Sequence, residues 1–343
     1  MNNLRSEDLQ SRNAAADILK VLSIFAVVYI HGSFLISDST NDYSNESLQK
    51  YTTAALRFCV PVFIFLWAFF TEKSIIKKGT SAPFKRLFKL FIPFVFWSLL
   101  YFIYTFDFTD LNIISIITKH WVGYGWSGQY YFIILFQLIL FVGVIRKLAL
   151  MTIKYSGTII ICSIIFFTLI TYTKWFQFGI ISKLSYRPFI YWLPYVWLGI
   201  QQAHKNIFKF SLHLPWGVIF VGLICMEVYF LVPDLANLYL LPSVFISSLI
   251  LLSSMSSRLT YDSLPSILRL GLQKLSNSTL GIFCLNPLII LILSPLLKFQ
   301  GSLPALFHLP FLLQLISTII IISLSMLIIY LLKKIRLGII VSN

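Results

Sequence analysis

Acidic residues are scarce in this chain. Asp and Glu together number 12 among 343 residues, and charged residues of both signs make up only 11%. That is too little charge to cover the surface of a soluble domain of this size, so a water-exposed globule is excluded. Cysteine is sparse too: Cys59, Cys162, Cys225 and Cys284 each fall inside an apolar run, none at motif spacing from another cysteine or a histidine. Neither a disulfide framework nor a metal site is indicated, and the thiols read as small buried hydrophobes. The net charge of +15 comes without zinc-ligand spacing, a helix-turn-helix pattern or a long basic face, which argues against nucleic acid as a partner. Internal repeats, heptads and low-complexity tracts are missing, as is any stretch long enough for a second, soluble domain. The first apolar run carries Lys20 and His31, exceeds the length of a signal h-region and lacks a small-residue cleavage site, so it reads as a membrane helix.

What the chain has instead is apolar length. Hydrophobic residues make up 58%, mean hydropathy is +0.85, and 32 Phe, 17 Tyr and 8 Trp supply the rings that line membrane interfaces. Apolar runs near or above the length needed to cross a bilayer occupy Ala15–Ile36, Thr52–Thr71, Leu87–Phe106, Gly128–Ile145, Ser156–Tyr172, Tyr186–Gln202, Leu214–Leu231, Leu238–Met255, Leu280–Leu297 and Phe311–Leu332. The fourth to sixth are the shortest candidates. The expectation is an all-α integral membrane protein, a bundle of about ten transmembrane helices forming one domain over residues 1–343. Short cytoplasmic tails would cover 1–14 and 333–343.

Charge placement orients the bundle. Of the 27 Lys and Arg, six (Lys50, Lys119, Lys174, Lys183, Arg187 and Lys298) fall in odd-numbered loops, and Arg57 lies within the second run. The remaining 20 lie in the tails and even-numbered loops, six of them between Lys73 and Lys89. By the positive-inside rule this predicts both termini in the cytoplasm.

Ionisable residues inside membrane helices cost at least ~2–3 kcal/mol each on insertion scales, so each needs a reason. The first run holds Asp17, Lys20 and His31. Eleven residues separate Lys20 from His31, which returns to within ~20° of the same helix face and places them roughly 16 Å apart along the axis. Asp17 is three residues before Lys20, within pairing reach. Arg57, near the outer end of the second run, opposes the positive-inside trend and sits at a depth similar to His31. Position alone allows blander roles: Lys20 as a snorkelling interfacial cation, His31 as an interfacial histidine, and Glu227 in the seventh run as a structural partner.

Several segments together carry a resemblance. DILKVLSIFAVVYIH places Lys20 ahead of His31 with ten residues between them, and RFCVPVFIFLWAFF joins Arg57 to Val60, Pro61, Phe63 and Phe65. KRLFKLFIPFVFWSLLY, GWSGQYYFIILF, LPYVWLGI and STLGIFCLNPLII follow in order. In this pattern the chain resembles the acyltransferase-3 family of multi-pass membrane O-acyltransferases over nearly its whole length. It departs in three places. Trp67-Ala68 stands where Ser-Gly is often found, Tyr130-Tyr131-Phe132 where Trp-Phe is more usual, and Asn286-Pro287 where His-Pro is often found.

The resemblance implies transfer of an acyl group, usually acetyl, from cytoplasmic acyl-CoA to a hydroxyl of a surface polysaccharide or lipid-linked sugar. The expected setting is a bacterial cytoplasmic membrane. Acetyl-CoA would be the donor, with no permanently bound cofactor and no metal. A sugar hydroxyl is a weak nucleophile and needs a base that titrates near neutrality, as imidazole does. His31 would deprotonate the acceptor or transiently carry the acyl group, and Arg57 would stabilise developing negative charge or orient the histidine. Asp17, Lys20, Lys85 and Arg86 are candidates for the acyl-CoA end, although the same basic segment also suits topology and anionic-lipid contacts. Trp126 and Tyr130, with Trp121 and Tyr131, are candidates for sugar stacking, although interfacial anchoring explains most such rings. The rival class is a transporter or flippase of a polysaccharide precursor without acyl chemistry; intramembrane charge suits it, but the halves of the chain show no similarity to one another.

Overall fold

A computed structural model describes residues 13–32, 51–105, 119, 123–173, 179–208, 214–231, 238–256, 261–298 and 310–341. Trp121 and most of the odd-numbered loop residues lie outside this set. Eleven α-helices are present among the described residues: α1 (Ala14–Gly32), α2 (Cys59–Lys78), α3 (Ala82–Thr105), α4 (Gln129–Met151), α5 (Ser156–Tyr172), α6 (Gly179–Leu184), α7 (Leu193–His204), α8 (Leu214–Leu231), α9 (Pro242–Ser253), α10 (Ser266–Lys298) and α11 (Pro310–Lys334). A helix coincides with each of the ten apolar runs. Among the described residues, seven helical stretches are long and apolar enough to cross a membrane: α1, Tyr51–Lys78, α3, α4, Ile153–Tyr172, α10 and α11. The sixth and eighth runs are shorter helices than expected, 12 residues each in α7 and α9, with 3-10 turns (Phe189–Trp192, Leu238–Leu240, Ser254–Ser256) filling the rest.

Helix ends follow local chemistry. Asn13 Oδ1 accepts a hydrogen bond from the Ala16 N–H at 2.9 Å and so caps α1. α9 starts with Pro242 in its first turn, where a missing N–H is harmless, and Glu227 Oε2 accepts from the next N–H, that of Ser243, at 2.9 Å. The Tyr172 hydroxyl donates to the other Glu227 oxygen, so Glu227 ties α8 to α5 and α9. α10 begins fourteen residues before the apolar run at Leu280, because Arg269, Gln273 and Lys274 continue the helix without apolar character.

Burial separates central helices from peripheral ones. α1, Tyr51–Lys78 and α10 bury 67%, 56% and 61% of their apolar windows, against 22% for α3 and 17% for Ile153–Tyr172. The outer helices present Phe88, Ile103, Ile161 and Leu140 outward. An exposed apolar surface of that extent suits lipid, and intrahelical hydrogen bonds satisfy the backbone. In the centre, α2 and α7 approach until a methyl on Gly199 would stand 2.6 Å from the Phe65 carbonyl oxygen; only glycine permits that contact, the usual device of close membrane helices.

Two ends of the bundle are chemically distinct. At one, Glu72 of α2 is 1% exposed, receives both oxygens' bonds from Arg146 Nε of α4 (2.9 and 2.8 Å), and meets His204 Nε2 of α7 at 2.6 Å. The C-terminal parts of α2, α4 and α7 therefore share an end with Lys20 at the start of α1, which lines a cavity together with Lys78. His31 closes α1 at the opposite end, where Arg57 opens the second spanning helix.

Candidate active site

His31 is held at both ring nitrogens. Its Nδ1 lies 2.6 Å from Asn286 Oδ1 of α10, and its Nε2 lies 3.2 Å from Ser127 Oγ. The fully buried Asn286 amide has a fixed orientation, because its Nδ2 donates to the Ile282 and Phe283 carbonyls at 3.0 and 2.7 Å. That leaves Oδ1, which can only accept, facing the imidazole. Nδ1 therefore carries the proton, and Nε2 presents its lone pair beside Ser127, which is the tautomer a general base needs.

Ser127 is positioned by a pinned turn at the start of α4. Gly128 has φ +98°, a left-handed conformation that favours glycine, and a Cβ there would meet the Phe283 ring at 2.8 Å. Gln129 fixes the turn from below, its Oε1 accepting from the Gly125 N–H at 2.7 Å and its Nε2 donating to Ser98 Oγ at 2.9 Å. Trp126 stacks on Tyr101 at 5.0 Å and is enclosed by Phe132 and Phe283. Its place is under the turn, supporting Ser127, with little face left for a sugar ring.

Arg57 stands in a group of tyrosines. Its Cζ lies 4.6 Å from the Tyr239 ring centre, and Tyr239 packs with Tyr130 and Tyr186 at 6.3 and 5.2 Å. The Tyr130 hydroxyl donates to that of Tyr239 at 3.2 Å. Arg57 is near enough to act electrostatically on His31. Among the described residues no carboxylate pairs with it, and its buried Nε has no acceptor. Its side chain also hydrogen-bonds with that of Tyr239, and a guanidinium beside a base is suited to receive charge that develops during a reaction.

The remaining candidates gather at the other end. A cavity of about 600 Å³ is lined by Lys20, Lys78, Lys85, Arg86 and Lys89, and among the described residues of its wall none is acidic. Along α2 its lining runs from Phe63 to Lys78, roughly 22 Å at 1.5 Å per residue. The far end is aromatic: Phe63, Tyr131 and Phe283. Phe283 lies one turn before Asn286 and against Gly128, so that wall backs onto the histidine. Lys20 sits over the Phe70 ring at 4.6 Å and pairs with Asp17 at 3.1 Å. Asp17 itself is 2% exposed and accepts from Tyr261 and Ser276 hydroxyls at 2.5 Å each. It fixes Lys20 and joins α1 to α10, and it does not line the cavity.

The structure thus brings His31, Arg57 and Tyr130 to one centre and Lys20, Lys85 and Arg86 to another. Asn286, Ser127 and Tyr239 were not singled out from sequence. The first two had a signal, since Asn286 stands at a departure from a motif and Ser127 sits between turn glycines. Tyr239 had none, because its partnership with Arg57 depends on tertiary packing.

Residues 13–332 match the family model for the acyltransferase domain Acyl_transf_3, so a site of this kind belongs to a membrane acyltransferase fold. The chain is a member of the acyltransferase-3 family and a multi-pass membrane protein. Neither a curated protein nor a solved structure matches it.

Proposed function

We propose that this protein is an O-acetyltransferase that moves acetyl from cytoplasmic acetyl-CoA to a hydroxyl of a surface polysaccharide or lipid-linked sugar, in a bacterial cytoplasmic membrane with both termini inside. The observation that carries the reading is the geometry of His31, a half-buried imidazole whose Nδ1 is fixed by Asn286 and whose Nε2 faces Ser127. CoA phosphates rest on Lys20, Lys78, Lys85, Arg86 and Lys89, a cluster with no competing carboxylate among the described residues of the cavity wall. The pantetheine arm lies along the cavity toward Phe63, Tyr131 and Phe283.

At the histidine, the acceptor O–H gives its proton to Nε2 as the oxygen attacks the thioester carbonyl carbon. Arg57 stabilises the oxyanion. The C–S bond breaks, and the imidazolium returns the proton to the departing CoA sulfur, so the enzyme ends unchanged.

The test is the O-acetyl content of surface polysaccharide, measured by NMR in a deletion strain rescued with wild type or with His31→Ala at equal membrane levels. Recovery with wild type alone supports the reading. Equal recovery with both removes His31 as the base, and no change on deletion turns the reading toward a transporter.

A further inference from the structure

A second arginine belongs to the histidine end of the bundle. Arg187 lies in the turn between α6 and the 3-10 segment Phe189–Trp192, with its Cζ 3.3 Å from the Tyr124 ring centre and 5.3 Å from that of Tyr186. It is 8% exposed, its Nε is buried without an acceptor, and among the described residues no carboxylate pairs with it. Stacking on a ring satisfies the guanidinium face but leaves its in-plane N–H groups wanting acceptors. A buried cation in this state is unstable unless something negative completes it.

The turn is built to hold this side chain. Ser185 adopts φ +51°, a conformation that non-glycine residues keep only where their surroundings enforce it. Trp192 Nε1 donates to the Tyr186 carbonyl at 2.8 Å, Phe189 N–H donates to Gln137 Oε1 at 2.8 Å, and the Tyr124 hydroxyl donates to the Lys183 carbonyl at 2.5 Å. Tyr186 then bridges the two arginines: it packs on Tyr239, whose ring lies under Arg57, and its hydroxyl is within electrostatic reach of both guanidiniums. Arg187 and Arg57, neither with a carboxylate partner among the described residues, are thus joined through a tyrosine cluster that reaches the histidine through Arg57.

We infer that the acceptor is an anionic glycan, whose carboxylate or phosphate is received by Arg187 while the neighbouring hydroxyl is presented to His31. This rests on the transferase reading above. The planar guanidinium fork suits either anion bidentately, and the tyrosines offer flat faces and hydroxyls to the ring that carries it. Arg187 touches the substrate away from the reacting atoms and so governs which acceptor is taken.

The experiment uses purified full-length protein in phosphatidylcholine nanodiscs, which carry no lipid of net negative charge, with radiolabelled acetyl-CoA. The acceptor is the host's own surface glycan stripped of O-acetyl groups, offered untreated, carboxyl-reduced, or freed of phosphate with hydrogen fluoride. Untreated glycan should be acetylated, and one of the two neutralised forms should lose about tenfold or more in kcat/KM, as expected for a charge-assisted pair. The form that loses identifies carboxylate or phosphate. Arg187→Gln should show the same loss on untreated glycan and little further loss on the neutralised one, whereas Arg187→Lys should recover part of it. Melting temperature and acetyl-CoA binding of each variant separate a lost contact from a lost fold. If both neutralised forms are acetylated as fast as untreated glycan, the inference is overturned and the transferase reading stands. If untreated glycan takes no acetyl, the transferase reading itself fails, and this inference with it.

Discussion

Replacing Asn286 with alanine tests whether the tautomer of His31 matters. The substitution removes the acceptor 2.6 Å from Nδ1 and leaves a small cavity in the fully buried wall of α10. The Ile282 carbonyl loses only a second bond, but the Phe283 carbonyl loses more, because the residue four ahead of it is Pro287, which has no N–H to donate. One buried hydrogen bond contributes about 0.5–1.5 kcal/mol net, and a buried Nδ1–H left without an acceptor adds a penalty of ~1–3 kcal/mol. The imidazole escapes that penalty by moving the proton to Nε2, which then points a donor instead of a lone pair at the acceptor hydroxyl. The expected result is a fall of about 10–100-fold in kcat, the range seen when a residue orienting a reactive histidine is removed. KM for acetyl-CoA should hold, since Asn286 does not line the cavity.

Single-turnover transfer of labelled acetyl to deacetylated glycan measures the step directly. Asn286→His is the informative companion. An imidazole there can accept from His31 Nδ1, so it should restore most of the rate, whereas Asn286→Leu should not. A kcat within twofold of wild type for Asn286→Ala, with unchanged melting temperature, would refute the reasoning, as would rescue by leucine.

Three further outcomes follow from the packing. Glu72→Gln should lower stability by about 2–3 kcal/mol, less than the 3–5 kcal/mol of a fully enclosed pair because the Arg146 and His204 side chains remain 28% and 29% exposed; tryptophan fluorescence during heating in detergent reads the shift. Gly128→Ala forces a left-handed backbone and a 2.8 Å clash with Phe283, so it should cost about 1–3 kcal/mol and displace Ser127; both the melting temperature and the transfer rate should drop. The double charge reversal Lys85→Glu/Lys89→Glu should raise KM for acetyl-CoA by about tenfold or more, most strongly at low salt; an unchanged KM at all ionic strengths would place the CoA phosphates elsewhere.

Much of this was readable before any coordinates. All-helical membrane character follows from composition together with run length, because continuous apolar runs of about 20 residues suit spanning helices rather than the shorter, alternating strands of a barrel. The Lys20–His31 spacing puts both side chains on one face of α1, and in the structure Lys20 lines the cation cavity while His31 lies near Arg57. The lengths of α7 and α9 were less legible. Their apolar runs include 3-10 turns, and hydropathy does not distinguish a helical residue from an apolar one in a tight turn. Asp17 illustrates a different limit. Sequence offered it as a partner for Lys20, which it is, but its bonds to Tyr261 and Ser276 come from residues 244 and 259 positions away. Long-range pairing of this kind has no local signature, and the same holds for Tyr239 beneath Arg57 and for Glu72 between α4 and α7.

The way charges are matched separates framework from chemistry. Glu72 is matched by Arg146 and His204, and Asp17 by Lys20. Each pair joins helices or fixes a side chain, and each lies at the end of the bundle where the cavity cations gather. Arg57 and Arg187 lie at the histidine end, and among the described residues neither has a carboxylate. A structural role would be served better by a matched pair or by an apolar residue, because an unmatched buried cation is the least favourable arrangement of the three. The fold tolerates that cost twice on one face, where His31 also presents its free nitrogen. On the transferase reading proposed above, these two cations would meet the charge of the oxyanion and of an anionic acceptor.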